Sequence, residues 1–151
     1  MTGVVGERWA EPVYLDSSAL VKLLVPDEDS DALNAALAGL TEVIVSDLAV
    51  TELASALGRR TRERRISTVQ AGRLHREAAK LRNASRRAEL TPPVHRRAER
   101  LMLSLAVPLR TLDALHLASA LDADAATIVT FDVRLRDAAV SQGLLVVPAT
   151  A

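Results

Sequence analysis

Short runs of β-branched and apolar residues alternate with longer helical stretches along most of this chain. The runs lie at residues 13–15, 42–45, 127–131 and 144–147, and patterns typical of helices separate them. Strands that are separated by helices pair in parallel through right-handed crossovers. We therefore expect an α/β protein, a three-layer α/β/α sandwich with a mainly parallel central sheet.

The length of the chain, 151 residues, is that of one ordinary domain. No internal repeat and no low-complexity linker divides the sequence. We expect a single domain over residues 13–151. Residues 1–12 precede the first apolar run, and we expect them to form a disordered N-terminal extension.

Two helices are expected in the middle of the chain. Ser67 and Gln70 have the spacing of a capping box, which begins a long helix, and Thr91 followed by Pro92 begins another. The sequence shows no apolar run between these two helices. We therefore expect a helical hairpin, inserted at about 67–105.

Composition excludes several classes of protein. The chain has no cysteine, so it has no disulfide, no thiolate zinc site and no thiol nucleophile. Aromatic residues are limited to one Trp, one Tyr and one Phe, which disfavours recognition of bases by stacking. No run approaches the roughly 18 apolar residues of a membrane span, and the N-terminus lacks a signal-peptide pattern. The expected location is the cytoplasm, with no membrane partner.

Four acidic residues lie at positions where such a sheet brings side chains together. Asp16 ends the first apolar run and Asp132 ends the third, while Glu52 and Asp113 lie near predicted helix starts. The ligand crevice of a parallel sheet lies outside the carboxyl ends of its strands. Carboxylates gathered there repel one another and raise one another's pKa, so we expect a hard divalent cation, Mg²⁺ or Mn²⁺, at this site.

Each acid also has a simpler interpretation at a helix start. Asp16 and Asp132 each precede a predicted helix and can accept hydrogen bonds from its first turn, and Asp113 gains from similar free amides. One shared site is more economical than several independent caps. Ser18 and Thr130 add hydroxyls that can orient carboxylates or water at such a site.

Residues 59–100 are strongly basic, although the whole chain has a formal net charge of zero. They contain thirteen arginines and one lysine against four glutamates. A basic surface beside an acidic site suits a polyanionic substrate or an acidic partner segment, and a solvated helical face explains the same residues equally well. The candidate contacts with RNA phosphates are Arg59, Arg60, Arg62, Arg64 and Arg65.

Three segments and one acid carry a family resemblance. They are VYLDSSALVK from Val13, Glu52, LDALHLA from Leu112 and TFD from Thr130. Their order and spacing resemble the motifs of PIN-domain ribonucleases, and most closely those of VapC-like toxins of type II toxin–antitoxin modules. The resemblance implies an acidic quartet with two supporting polar positions. The quartet is Asp16, Glu52, Asp113 and Asp132, and the supporting residues are Ser18 and Thr130.

The resemblance also implies a chemistry and partners. The chain is expected to be an endoribonuclease that uses one or two Mg²⁺ or Mn²⁺ ions and a metal-activated water to cleave RNA phosphodiesters. Asp16, Asp113 and Asp132 are the expected direct ligands, while Glu52 either binds a second ion or holds a metal-bound water. His116 is interpreted as a partly buried structural residue outside the catalytic set. The expected partners are RNA, a second copy of the chain in a homodimer, and a cognate VapB-like antitoxin.

Other classes of protein fit these residues less well. A phosphatase that forms an aspartyl-phosphate usually needs a second acid two residues after the first, where this chain has Ser18. A receiver domain needs a lysine after a late strand, and the only lysines are Lys22 and Lys80. The alternative that remains is a non-catalytic module whose basic helices bind RNA or a peptide. Metal-dependent cleavage of RNA distinguishes the two hypotheses.

Overall fold

Five parallel strands form the centre of the structure, a computed structural model that describes residues 8–104, 106 and 108–148. The strands are β1 (Val13–Leu15), β2 (Val43–Ser46), β3 (Arg86–Ala88), β4 (Thr127–Val129) and β5 (Leu145–Val147). They lie in the order β3-β2-β1-β4-β5. The parallel sheet predicted from the sequence is therefore confirmed.

Helices cover both faces of this sheet. They are α1 (Ser17–Leu24), α2 (Ser30–Ala38), α3 (Asp47–Arg62), α4 (Thr68–Ala84), α5 (Pro92–Ser104), α6 (Thr111–Asp122) and α7 (Val133–Ser141). Helices α1 to α4 pack on one face, and α5 to α7 pack on the other. This arrangement confirms the three-layer sandwich. None of these helices is long and apolar enough to cross a lipid bilayer.

The two cores of the sandwich follow from the alternation of side chains along the strands. In β1, Val13 and Leu15 join the core under α1 to α4, while Tyr14 joins the core under α5 to α7. Ile44 and Ile128 of the neighbouring strands lie on the same side as Tyr14. All five side chains are fully buried, so the sheet is enclosed on both faces as parallel sheets usually are.

The order of the strands places a switch point between β1 and β4. From β1 the chain proceeds outward to β2 and β3, and it returns to the other side of β1 to form β4 and β5. Leu15 pairs with Val129 in the parallel register of these two strands. Asp16 follows Leu15, and Thr130 follows Val129. These two residues therefore lie next to each other at the carboxyl ends of the strands, where ligands of open α/β sheets bind.

The prediction of a helical hairpin at about 67–105 is wrong. Residues Arg86–Ala88 form β3, an edge strand that pairs with β2, so a strand separates the two helices. Leu74 of α4 and Val94 of α5 belong to different cores on opposite faces of the sheet. The end of the expected hairpin, residue 105, lies outside the described residues.

The prediction that residues 1–12 are disordered is wrong for residues 8–12. The side chain of Trp9 is buried, with 6% of its surface exposed. Glu11 accepts a hydrogen bond from the backbone N–H of Thr41 at 2.6 Å, which ties the segment to the start of β2. Residues 1–7 lie outside the described residues, and disorder there stays a prediction.

Candidate active site

Asp16 directly follows β1, Asp132 lies three residues after the neighbouring strand β4, and one hydroxyl connects them. Thr130 donates through Oγ1 to Oδ2 of Asp16 at 2.5 Å and accepts from the backbone N–H of Asp132 at 3.1 Å. Asp16 is buried, with 3% of its surface exposed, and Asp132 is partly exposed. The structure thus brings the first and last of the predicted acids together, with Thr130 between them.

Ser18 completes the hydrogen bonds of the Asp16 carboxyl. Its hydroxyl donates to Oδ1 of Asp16 at 2.7 Å and accepts from the backbone N–H of Phe131 at 2.8 Å. The N–H of Ala19 donates to the same Oδ1 at 2.9 Å. Burial raises the pKa of Asp16 above its ordinary value, while these hydrogen bonds and the nearby His116 oppose that shift.

The simpler interpretation of these two acids is also correct. Asp16 is the N-cap of α1, because its Oδ1 accepts from the third residue of the helix. Asp132 is the N-cap of α7, where its Oδ1 accepts from the N–H of Leu135 at 3.0 Å. Capping and convergence coexist, since each strand of the pair ends where a helix begins. The backbone therefore fixes both carboxylates rigidly.

Asp113 lies in the first turn of α6 and is partly exposed. Burial raises the pKa of its carboxyl, and the negative charge of Asp132 raises it further. Asp16 and Glu52 raise this pKa as well, while His116 lowers it. Because the charges of the three other acids all raise the pKa of this carboxyl, Asp113 lies near all of them.

Glu52 reaches this environment from α3 on the other side of the crevice. Its Oε1 lies 2.5 Å from Nε2 of His116, and Nδ1 of the same ring lies 2.7 Å from the hydroxyl of Tyr14. His116 is buried with 1% of its surface exposed, more completely than the sequence suggested. Sequence reasoning did not connect it to Glu52. The signal available was its position one helical turn after Asp113, on the same face of α6.

The oxygen ligands of this site fit a divalent cation in kind. Carboxylates are the ligands that Mg²⁺ and Mn²⁺ prefer, and the like charges around Asp113 favour a cation among them. In the described part of the chain, however, no three His, Asp or Glu side chains already surround a common point at ligand distance. The four acids are therefore neighbours that do not form a completed ligand set in this structure.

A groove of about 470 Å³ extends from Glu52 between α1, α3 and the start of α6. Arg59 lies in its wall two helical turns beyond Glu52, a separation of about 10 Å along α3. Of the five arginines proposed to bind phosphate, Arg59 is the one in this wall. The wall consists of Ser17, Ser18, Val21, Leu48, Thr51, Glu52, Ser55, Ala56, Arg59 and Leu112.

Comparison with known sequences gives one family and several similar chains. The sequence model of the PIN domain family matches residues 13–141. Ribonuclease VapC46 of Mycobacterium tuberculosis is 37% identical over 142 residues, which cover 89% of this chain and 95% of that protein. The match thus runs along nearly the whole length of both chains.

Comparison with solved structures gives the same fold at lower sequence identity. The structure of Mycobacterium tuberculosis VapC20, described as a sarcin-ricin loop cleaving toxin, has a TM-score of 0.67 at 18% identity and covers 83% of this chain and 94% of that one. A chain of a toxin–antitoxin complex from Klebsiella pneumoniae has a TM-score of 0.65 at 16% identity, with coverage of 91% and 98%. At these identities the likeness shows a shared fold.

Proposed function

Since this chain belongs to the PIN domain family, we propose that it is a divalent-metal-dependent endoribonuclease and the toxin of a toxin–antitoxin pair. The observation that carries the proposal is the meeting of Asp16 and Asp132 at the switch point of the sheet, where Thr130 is hydrogen-bonded to both at 2.5 and 3.1 Å. The charges of Asp16, Glu52 and Asp132 all raise the pKa of Asp113, which agrees with a common site. The name of the related ribonuclease VapC46 supports RNA as the substrate. One or two Mg²⁺ or Mn²⁺ ions are the proposed cofactors.

Asp16, Asp113 and Asp132 are the residues that we propose to hold the metal, with Glu52 beside them. A bound divalent ion lowers the pKa of water towards neutrality and stabilises negative charge on a leaving oxygen. The protein contributes fixed positions: Asp16 is held by three hydrogen bonds, and Asp132 is held by the start of α7. Because these two carboxylates are already held in place, less conformational freedom is lost when the metal site assembles.

The products distinguish this proposal from the non-catalytic alternative. Purified protein incubated with RNA and Mg²⁺ is expected to release fragments with 5′-phosphate and 3′-hydroxyl ends. Sequencing of RNA 5′ ends after induced expression, with and without prior removal of 5′-phosphates, measures this outcome and maps the cleavage position. RNA that is bound and remains intact in these conditions supports the binding module instead.

Arg59 is the arginine that we expect to contact RNA, because it lies in the same groove as Glu52. Replacement of Arg59 by alanine is expected to raise KM for RNA about tenfold with little change in kcat, and to lower the salt dependence of binding by about one phosphate contact. Arg65→Ala is the matched control, since Arg65 lies outside this wall and pairs with Glu63 at 3.8 Å on the surface. Equal effects of the two substitutions contradict the assignment.

A cognate antitoxin of the VapB type is the proposed protein partner, and a homodimer is the proposed assembly. An acidic cavity attracts cationic side chains, so an antitoxin arginine is expected to enter the site. The structural neighbour from Klebsiella pneumoniae is described as a toxin–antitoxin complex, which supports this partner. RNA and antitoxin together make the cytoplasm the proposed location. Copurification with the product of the adjacent upstream reading frame tests the partner.

A further inference from the structure

Three side chains from three elements form a continuous hydrogen-bonded chain that ends at the candidate active site. Tyr14 extends from β1 in the middle of the sheet, His116 lies on α6, and Glu52 lies on α3. Their atoms are 2.7 Å apart at the first contact and 2.5 Å apart at the second. Tyr14 has no exposed surface and His116 has 1% of its surface exposed, so water does not compete for either contact at the ring.

The direction of these hydrogen bonds follows from the chemistry of the groups. An ionised glutamate only accepts, so Nε2 of His116 carries the proton and donates to Oε1 of Glu52. Burial raises the pKa of Tyr14, which keeps its hydroxyl protonated and able to donate to Nδ1. If the ring is an imidazolium, Nδ1 donates to the Tyr14 oxygen instead. In both cases the ring holds the same oxygen of Glu52.

The place of His116 in the core explains why the ring cannot turn away. It lies in a part of α6 in which every residue from 114 to 120 is buried. Its ring meets that of Tyr14 edge to face, with centroids 5.8 Å apart. Glu52, by contrast, has 23% of its side chain exposed and lies in the wall of the groove. The buried pair therefore acts as a fixed support for a side chain that otherwise has three rotatable bonds.

We propose that His116 is a positioning residue that holds Oε1 of Glu52 and leaves Oε2 for the metal or its water, with Tyr14 orienting the ring from within the sheet. The inference rests on the proposed function, because it assigns a role at the same site. Partners that hold a metal-binding carboxylate typically change metal affinity 10–100-fold when they are removed. If His116 only filled space in the core, loss of its Nε2 contact alone would leave the metal affinity unchanged.

Two substitutions at position 116 separate the two ring nitrogens. In His116→Gln the side-chain amide nitrogen takes the place of Nε2 and still donates to Glu52. In His116→Asn the shorter amide matches Nδ1, so the contact with Tyr14 remains and the contact with Glu52 is lost. We expect the Kd for Mn²⁺, measured by isothermal titration calorimetry on the full chain, to stay within about threefold of wild type for the first and to rise about 10–100-fold for the second. Equal Kd values for the two variants overturn the proposal.

A double substitution shows whether the effect acts through Glu52. In a Glu52→Ala background, His116→Asn is expected to change the Kd for Mn²⁺ by less than about twofold, because the group that it positions is already absent. Losses that multiply in the double variant overturn the positioning role. If the wild-type chain binds no Mn²⁺, the proposed function itself fails. If it binds Mn²⁺ and His116→Asn binds equally well, only the present inference fails.

Two further measurements decide the question if His116→Asn does not fold by circular dichroism. Tyr14→Phe keeps the ring and removes the hydroxyl that orients His116, and we expect its Kd for Mn²⁺ to rise about 3–10-fold. In wild-type protein, long-range ¹H–¹⁵N NMR spectra are expected to show a slowly exchanging proton on Nε2 of His116, which Glu52→Ala removes. An unchanged Kd in Tyr14→Phe, or a ring with no proton on Nε2, overturns the proposal.

Discussion

Replacement of Asp16 by asparagine is expected to lower the rate of RNA cleavage at least about 10³-fold and to raise the melting temperature of the metal-free protein. The first effect follows from the loss of a carboxylate from the proposed metal site, and a factor of 10³ corresponds to about 4 kcal/mol of transition-state free energy. The second effect follows from burial. Asp16 is almost inaccessible to water, so its negative charge is costly in the folded state.

The sign of the stability change follows from the raised pKa of Asp16. Burial lifts this pKa above its ordinary value of 3.8, so the folded protein binds a proton at Asp16 more tightly than the unfolded chain does. The contribution of Asp16 to the free energy of unfolding therefore falls as the pH rises from about 3.8 through the raised pKa, and the full cost is present once the pH exceeds that raised pKa. Asparagine carries no charge, and its carbonyl can still accept from Ser18 and Ala19. Its amide nitrogen can donate to Oγ1 of Thr130, in place of the hydrogen bond that Oδ2 of Asp16 accepts from that hydroxyl.

Scanning calorimetry in EDTA at neutral pH and at pH 4 measures this effect. We expect Asp16→Asn to melt about 2–4 °C above wild type at neutral pH, equivalent to about 1 kcal/mol in a domain of this size, and the difference to shrink as the pH falls. Asp31→Asn, at an exposed position in α2, is the matched control for both cleavage and stability. A variant that keeps a tenth of the wild-type activity, or that melts below wild type, contradicts the argument.

Removal of divalent metal is expected to have an effect of similar size on activity. EDTA should reduce RNA cleavage at least about 10³-fold, and added Mg²⁺ or Mn²⁺ should restore it, because the carboxyl of Asp113 is repelled by the charges of three other acids without a cation. Metal that binds the folded state also stabilises it. At one hundred times its Kd, Mn²⁺ should add about 2.7 kcal/mol to the free energy of unfolding, a shift of about 5–10 °C in melting temperature.

Asp16→Asn serves as the internal control for this second prediction. Its melting temperature should respond to Mn²⁺ much less than that of wild type, since one of the proposed ligands is absent. Cleavage that proceeds at full rate in EDTA removes the metal from the mechanism. Binding of RNA without cleavage, in EDTA and in Mn²⁺ alike, supports the non-catalytic module.

The sequence predicted the parts of this molecule whose signal is local. Apolar runs of β-branched residues identify the central strands, because a strand that is buried on both faces is apolar along its length and does not alternate with polar residues. The acids at the ends of those strands follow from the same reasoning, since parallel strands end at a common edge. The positions of the strands were thus sufficient to predict that Asp16 and Asp132 lie close together.

The parts that sequence reasoning missed depend on contacts between distant residues. β3 contains Arg86 and Arg87, both exposed at the edge of the sheet, and its strand conformation comes from backbone pairing with β2 and not from apolar side chains. Its sequence therefore resembles the end of a basic helix. The link between Tyr14, His116 and Glu52 joins residues 102 and 64 positions apart, and no spacing pattern reports such a contact.

Asp16 and Asp132 are both helix caps and proposed metal ligands, and this combination has a genetic consequence. An asparagine caps a helix as well as an aspartate does, and one nucleotide substitution, G to A in the first codon position, converts one residue into the other. A gene of this kind can thus be disarmed in a single mutational step that spares the scaffold. A chain with asparagine at position 16 or 132 is therefore expected to fold and to lack the proposed nuclease activity.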